Sequence, residues 1–594
     1  MNSETIAEGD TPVKNGKALI ETPIASGAVG SPIGGSPIGG SPIGGAVASG
    51  TVEGPIESSA IEGATTKDVT TKSSTTKSSH TIENDADVKN GNKRLIFACI
   101  AIALQLLAVL FINYFFAEKA LWFSIAARLL GAILVLFIYS EDKPAAMKMT
   151  WILIIMALPV FSITFYLLVG LNGHTLKMTR RFEEVDEKLL PLLTSGNEPL
   201  ARLDVIDRRA ANIARYVQRM SSYPLFDDTV ITYYDDAAKG LEAQKEELRR
   251  AERFIFMEYH AIEDAESWHA IQDILEERVQ AGVEVRVFYD DMGSIGFINT
   301  DFVDRLKARG IKGKVFNPFA PGLNTFLNNR DHRKITVIDG LVGFTGGYNI
   351  ANEYFNLTHP FGHWKDTGVK LVGPAVQSLT AAFLEMWNAS AEGDEDDAAY
   401  EQYLPEVPRC RGAQGFVLPY ADSPMDSKPI GEDVYISVAE YAESYVWFVT
   451  PYLIITDEMT RALSLAALRG VDVRIITPGI PDKKLVYSLT RSYYHNLVRN
   501  GVRIFEYTPG FCHCKMSVAD DVLATCGTIN LDYRSLYHHF ENGCLYYGCD
   551  AVADTKADFE WMFEQSREVT EDYINPGDYM RIRHLLLRIV SPMM

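Results

Sequence analysis

The stretch His332-Arg333-Lys334-Ile335-Thr336-Val337-Ile338-Asp339-Gly340 decides the reading of this chain, because it occurs twice. The second copy, His513-Cys514-Lys515-Met516-Ser517-Val518-Ala519-Asp520-Asp521, lies 181 residues further on and keeps His, Lys and Asp at the same spacing. The residues downstream repeat at that separation too. Gly346-Gly347 and Asn349 come after the first copy; Gly527-Thr528 and Asn530 come after the second. A single His-x-Lys arises by chance in many proteins. Two copies with one internal spacing and one downstream pattern mark a duplicated catalytic half-site.

Each copy contains an apolar run, Ile335 to Ile338 and Met516 to Ala519, that ends in a turn signal and predicts a β-strand. Strand side chains alternate faces, so His332 shares a face with Lys334, and His513 with Lys515. Asp339 and Asp520 complete the motif and count among the candidate catalytic residues. They lie seven positions beyond the His, however, an odd offset that points them to the other face as turn or structural groups. Two His/Lys pairs meeting across a pseudo-two-fold would supply a nucleophile, a general acid and cations for a phosphate.

Composition narrows the partners. The chain has 594 residues, 47% hydrophobic and 22% charged, enough for several domains. A net charge of −21 argues against nucleic acid as a partner, which would favour a basic surface. Local Lys/His clusters still allow an anionic lipid. The seven cysteines do not form a disulfide framework, and Cys512, Cys514, Cys526, Cys544 and Cys549 match no usual zinc spacing. On a strand, Cys512 and Cys514 face away from His513, as small buried hydrophobes.

Residues 1–92 are low in complexity, with Ser-Pro-Ile-Gly-Gly repeated three times from Ser31 and a Thr/Ser/Lys tract from Thr65 to Ser79. Such composition buries too little apolar surface to offset chain entropy and predicts a disordered tail. Three apolar runs come next within 93–172: Leu95 to Phe116, Ala120 to Tyr139 and Trp151 to Gly170. Each approaches the ~20 residues that span a bilayer, so two to three transmembrane helices are expected. Arg128 sits near the centre of the second run, which places it either in the helix bundle or at the membrane interface. Basic residues balance on the two sets of flanks, so the positive-inside rule gives no orientation.

From about residue 200 the pattern is α/β. Helical segments near Ala237–Arg253 and Ser267–Ala281 alternate with strand-like runs such as Val283 to Tyr289. Ala467 to Ile476 echoes Gln280 to Val287, so the second half repeats the first. This predicts a first lobe over 200–391, an acidic linker over 392–412 and a second lobe over 413–594. The basic segment Met580 to Val590 reads as an amphipathic helix, either on the membrane surface or packed on the domain.

The residues from about 120 to the C-terminus resemble the phospholipase D superfamily, and within it the bacterial cardiolipin synthases. The resemblance rests on Asn329 to Gly340, Gly343 to Ile350, Phe361 to Asp366, Thr450-Pro451-Tyr452 and Asn530 to Ser535. Lys148 to Gly170 is similar to the family's last membrane segment. Three features depart from the pattern. Thr528 stands where the family has Ser, a hydroxyl expected to keep its phosphate contact. His538-His539 precedes Phe540-Glu541 where Leu-Asn is typical. The first apolar run and the tail are additional.

The resemblance implies two pseudo-symmetric phospholipase D-like α/β lobes behind transmembrane helices, in a multi-pass protein of the cell membrane. It implies a phosphatidyltransferase that joins two phosphatidylglycerols into cardiolipin and glycerol through a phosphohistidine, with membrane lipids as its partners. One of His332 and His513 attacks phosphorus and the other moves protons. Lys334, Lys515, Asn349 and Asn530, with Gly347 and Thr528, would hold the phosphate, and Asp366 and Glu541 would orient the histidines. No oxygen-ligand set calls for a metal or other cofactor. The alternatives are a phospholipase D or another transferase of the superfamily, a nuclease disfavoured by the acidic charge, and a membrane scaffold without activity.

Overall fold

The computed structural model of the protein describes residues 89–594, apart from 118–120, 319–328, 391–396 and scattered positions at 142–172, 194, 398, 427 and beyond 575. The low-complexity tail up to residue 88 and most of the acidic stretch 392–397 lie outside the described residues.

Nine strands build the first lobe: β1 (Val230–Tyr234), β2 (Phe254–Tyr259), β3 (Glu284–Asp290), β4 (Lys312–Phe316), β5 (Arg330–Asp331), β6 (Lys334–Ile338), β7 (Val342–Gly346), β8 (His363–Lys365) and β9 (Gly368–Val372). Seven of them form a sheet in the order β1-β9-β7-β6-β2-β3-β4. The second lobe contributes β10 (Phe416–Asp422), β11 (Tyr445–Val449), β12 (Asp472–Pro478), β13 (Arg503–Tyr507), β14 (Gly510–Cys512), β15 (Met516–Ala519), β16 (Leu523–Gly527), β17 (His539–Tyr547) and β18 (Ser566–Glu568). Its sheet runs β10-β17-β16-β15-β11-β12-β13-β18. Apart from β18, the two orders match strand for strand. In each sheet three strands are parallel (β2-β3-β4; β11-β12-β13) and the rest antiparallel. The duplication read in the motifs therefore extends to the topology.

Parallel neighbours need crossovers, and helices provide them in each lobe, among them Glu266–Gln280 between β2 and β3 and Asp457–Leu468 between β11 and β12. The first matches the helical segment expected near Ser267–Ala281. The second starts at Thr456, whose hydroxyl accepts from the Met459 amide. Helix Val376–Ala389 is buried almost all round, its apolar residues belonging to the larger core cluster, which also takes in side chains of both sheets.

Both motif turns form as expected. Asp339 and Gly340 take φ of 56° and 72°, and Asp520 and Asp521 take 49° and 63°. The strands differ in one respect. β6 starts at Lys334 and β15 only at Met516, so neither motif histidine lies on the strand assigned to it. Each sits in a break between two strand pieces that pair with different partners.

The N-terminal apolar runs form helices Lys89–Ala117, Leu121–Ser140 and Ala145–Ala157. Counting only described residues, no helix is long and apolar enough to cross a membrane; several side chains of the first two fall outside that count. In the third run the helix Ala145–Ala157 is interrupted at Leu158, and the described positions Pro159, Phe161, Ile163 and Tyr166 are helical again. Proline disfavours helical backbone at the residue before it, and Leu158 has left the helical region with φ −134° and ψ 64°. Arg128 is exposed rather than enclosed among helices. The basic C-terminal segment falls largely outside the described residues. Its described positions pack on helix Lys484–Val498, with His584 Nε2 3.0 Å from Ser488 Oγ and Arg588 over the Tyr493 ring.

Candidate active site

The lead-in to each motif pairs with the opposite lobe. β5, just before His332, runs parallel to β17 at His539 and Phe540, and the His332 amide donates to Phe540 O at 2.9 Å. β14, just before His513, runs parallel to β8, and the His513 amide donates to Lys365 O at 2.8 Å. The next residue on each host strand is a carboxylate. Glu541 places both oxygens 2.9 Å from His332 Nδ1, and Asp366 places Oδ2 2.7 Å from His513 Nδ1. Each histidine is thus oriented by the carboxylate of the other lobe. This exchange unites the two half-sites.

Deep burial governs their electrostatics. Burial, then the nearby Lys334, Lys515 and His513 charges, push His332 well below the ordinary histidine range. Burial and Lys515 pull His513 down to about 4, with Asp366 opposing only in part. Burial brings Lys334 to about 7 and Lys515 to about 8, although Glu541 and Asp366 favour their charge. Burial raises Asp366, but the His513 pair and Lys515 hold it below the usual carboxylate range. Lys334 Nζ donates to His332 O at 2.6 Å, and Lys515 Nζ stands 2.8 Å from His513 Nδ1. Two imidazoles that burial biases toward the neutral form, beside two lysines whose charge burial disfavours, form a site that gains from a bound anion.

Among solved structures, phosphatidylserine synthase of Haemophilus influenzae is similar over 64% of this chain and 97% of that one, with a TM-score of 0.47 at 14% identity. The family model "Cardiolipin synthase, PLD-like domain" matches residues 435–563. A protein of Streptococcus mutans whose function is uncharacterised is 40% identical over 77% of this chain and 99% of its own. A cardiolipin synthase of Halalkalibacterium halodurans is 31% identical over 80% of this chain and 94% of its own. The chain belongs to the bacterial cardiolipin synthase family of the phospholipase D superfamily.

Within that family frame, the remaining predicted residues sort by what they touch. Asp339 and Asp520 take no part in the site. Asp339 accepts from the amides of Glu252, Arg253 and Phe254, and Asp520 from those of Glu443, Ser444 and Tyr445. Each pins the turn of its motif to the start of the neighbouring strand. Both are thus engaged as turn groups.

Thr528 also differs from expectation. Its hydroxyl donates to Glu541 Oε2 and receives the Asn542 amide at 2.9 Å, so it secures the orienting carboxylate rather than reaching for a phosphate. Gly347, its counterpart, lies against Asp366, and a Cβ there would stand 2.0 Å from Asp366 Oδ1. Asn349 is engaged, accepting from the Ala261 amide at 3.1 Å and donating to Tyr354 Oη at 2.7 Å. Asn530 keeps a buried Oδ1 without a hydrogen-bond partner among the described residues.

Some neighbours had no clear sequence signal. His260, at the end of β2, puts its ring centroid 4.9 Å from that of His332 and bonds Asp331 O through Nδ1 at 2.6 Å. Tyr354, Trp364 and Phe511 surround His513 at centroid distances of 5.3, 5.4 and 5.8 Å. Arg333 is buried against Glu385 Oε2 at 2.8 Å and Ala382 O at 2.9 Å, tying the first motif to helix Val376–Ala389. Its counterpart in the second motif is Cys514. That mismatch between copies was the available clue that position 333 is structural.

Proposed function

We propose that the chain makes cardiolipin and glycerol from two molecules of phosphatidylglycerol at a membrane. The carrying observation is the reciprocal pairing of His332 with Glu541 and His513 with Asp366. A carboxylate on Nδ1 keeps the proton there and leaves the Nε2 lone pair of a neutral imidazole for chemistry. In the first step one histidine forms a bond to phosphorus, the bond from phosphorus to the glycerol oxygen breaks, and the other histidine gives that oxygen a proton. In the second step the proton-moving histidine takes a proton from the hydroxyl of another phosphatidylglycerol. That oxygen bonds phosphorus, and the phosphorus–nitrogen bond breaks. The entering phosphodiester anion favours the charged form of the proton donor and of Lys334 and Lys515, which burial alone disfavours. One phosphodiester replaces another, so no nucleotide energy source is needed.

Attachment to the bilayer through the N-terminal helices belongs to the same reading. It is supported by large apolar side chains left exposed along them, among them Phe111 at 69%, Trp122 at 81% and Leu136 at 69%. A tethered site meets lipid alcohols at high effective concentration, which helps them compete with water. Purified full-length protein in phosphatidylglycerol vesicles without CTP, followed by mass spectrometry, is the test. Cardiolipin with free glycerol is expected; phosphatidic acid as the dominant product would make the protein a phospholipase.

A further inference from the structure

His539 stands beside the His332–Glu541 pair with nothing to bond. It is 8% exposed, and neither ring nitrogen has a hydrogen-bond partner among the described residues. Its Nδ1 lies 3.7 Å from Glu541 Oε1, beyond hydrogen-bond reach, and its ring centroid is 5.4 Å from that of His332. A buried imidazole without a partner loses its hydration without compensation, which natural sites seldom tolerate unless something occupies them. One ligand atom from each of His332, His539 and Glu541 can be chosen so that all three lie within 4.8 Å of one another.

We propose that His332, His539 and Glu541 form an inhibitory site for a divalent ion of the zinc class. Two imidazoles and one carboxylate are a familiar donor set for such ions, with a fourth position left open. Ligand atoms about 2.1 Å from a tetrahedral ion stand roughly 3.4 Å apart, so ring movements of about an ångström close the cluster. Lys334 and Arg534 lie near enough to act on these groups and oppose a cation. That repulsion rejects hard ions held by charge alone, such as magnesium and calcium, and favours ions that bond strongly to nitrogen.

The consequence for His332 lies in its two nitrogens. Coordination takes the Nδ1 lone pair and displaces the proton that Nδ1 shares with Glu541. The neutral ring then carries its proton on Nε2, with no lone pair there to attack phosphorus or to accept a proton from an alcohol. Metal binding thus takes away the Nε2 lone pair that nucleophilic attack or proton acceptance requires. This effect on turnover rests on the phosphatidyl-transfer reading; occupancy of the site does not.

Full-length protein titrated with Co2+ alone tests occupancy through the visible absorption bands of nitrogen-bound cobalt. One equivalent is expected, displaced by Zn2+. His539→Asn and His332→Ala should each weaken binding by roughly 100-fold or more, since even supporting residues around a metal contribute 10- to 100-fold. Absence of binding to the unaltered protein overturns the proposal, as does unchanged affinity in either variant. Zn2+ should also stop lipid transfer, and a chelator should restore it. If the protein proves to make no cardiolipin, the cobalt spectrum still reports the site.

Discussion

The two half-sites share strand order, turn and orienting carboxylate, yet they surround their histidines differently. His332 lies among imidazoles, with His260 and His539 close by, and the neighbouring Arg333 is locked onto a buried helix. His513 lies in an aromatic box of Tyr354, Trp364 and Phe511, next to the small Cys514. The supports of the carboxylates differ too: a hydroxyl from Thr528 holds Glu541, whereas Gly347 simply makes room for Asp366. Duplication preserved the pairing that chemistry requires. The surroundings were free to diverge, and polar neighbours collected on one side only.

The strongest test of equivalence is removal of each histidine. His332→Ala and His513→Ala should each reduce kcat by several orders of magnitude, because one site uses both. Near-normal turnover by either variant in a vesicle assay would mean that the halves act independently. Next in size come the crossed carboxylates. Glu541→Gln and Asp366→Asn should each lower kcat by about 10^2- to 10^4-fold, on the pattern of a triad carboxylate that sets the tautomer. Trapping the phosphohistidine and sequencing the labelled peptide would then reveal whether losing Glu541 impairs His332, the residue it faces, rather than the histidine of its own lobe.

The lysines give a pH prediction. A lysine whose value is lowered keeps its charge only below that value, here about 7 for Lys334 and about 8 for Lys515. The ratio kcat/KM, which reports the free enzyme, should therefore fall as pH rises through 7 to 8. A profile flat up to pH 10 would mean that neither ammonium is needed. Asp339→Ala and Asp520→Ala should mainly affect stability, by roughly 2–3 kcal/mol from backbone donors left without partners. Urea denaturation measures this, and a folded Asp339→Ala protein lacking all activity would overturn the structural role. Thr528→Ser should change turnover least, since it keeps the hydroxyl on Glu541, whereas Thr528→Ala should cost more; equal rates for the two would show the contact to be dispensable.

Local pattern made much of this legible. The repeated motif, the strands after it, the paired turns and the turn role of Asp339 and Asp520 all derive from short-range spacing. The exchange of β5 and β14 between lobes does not. Those strands are two and three residues long and pair with segments far away in the chain, so they leave no periodicity to read. Resemblance marked Asp366 and Glu541 as orienting groups without indicating that each serves the other lobe. Thr528 was read by analogy with phosphate contact, whereas its hydroxyl is committed to a carboxylate that the linear sequence does not bring near. Leu158-Pro159 was a visible interruption that hydropathy alone passes over.

His332 draws its orienting carboxylate from a residue 209 positions later in the chain. During synthesis the first lobe is therefore complete well before Glu541 has been translated. Without that carboxylate the imidazole lacks the group that fixes its tautomer and direction, and without the second lobe it has no second histidine opposite. The half-made protein thus holds only half a site, which is complete once β17 has been made and docked.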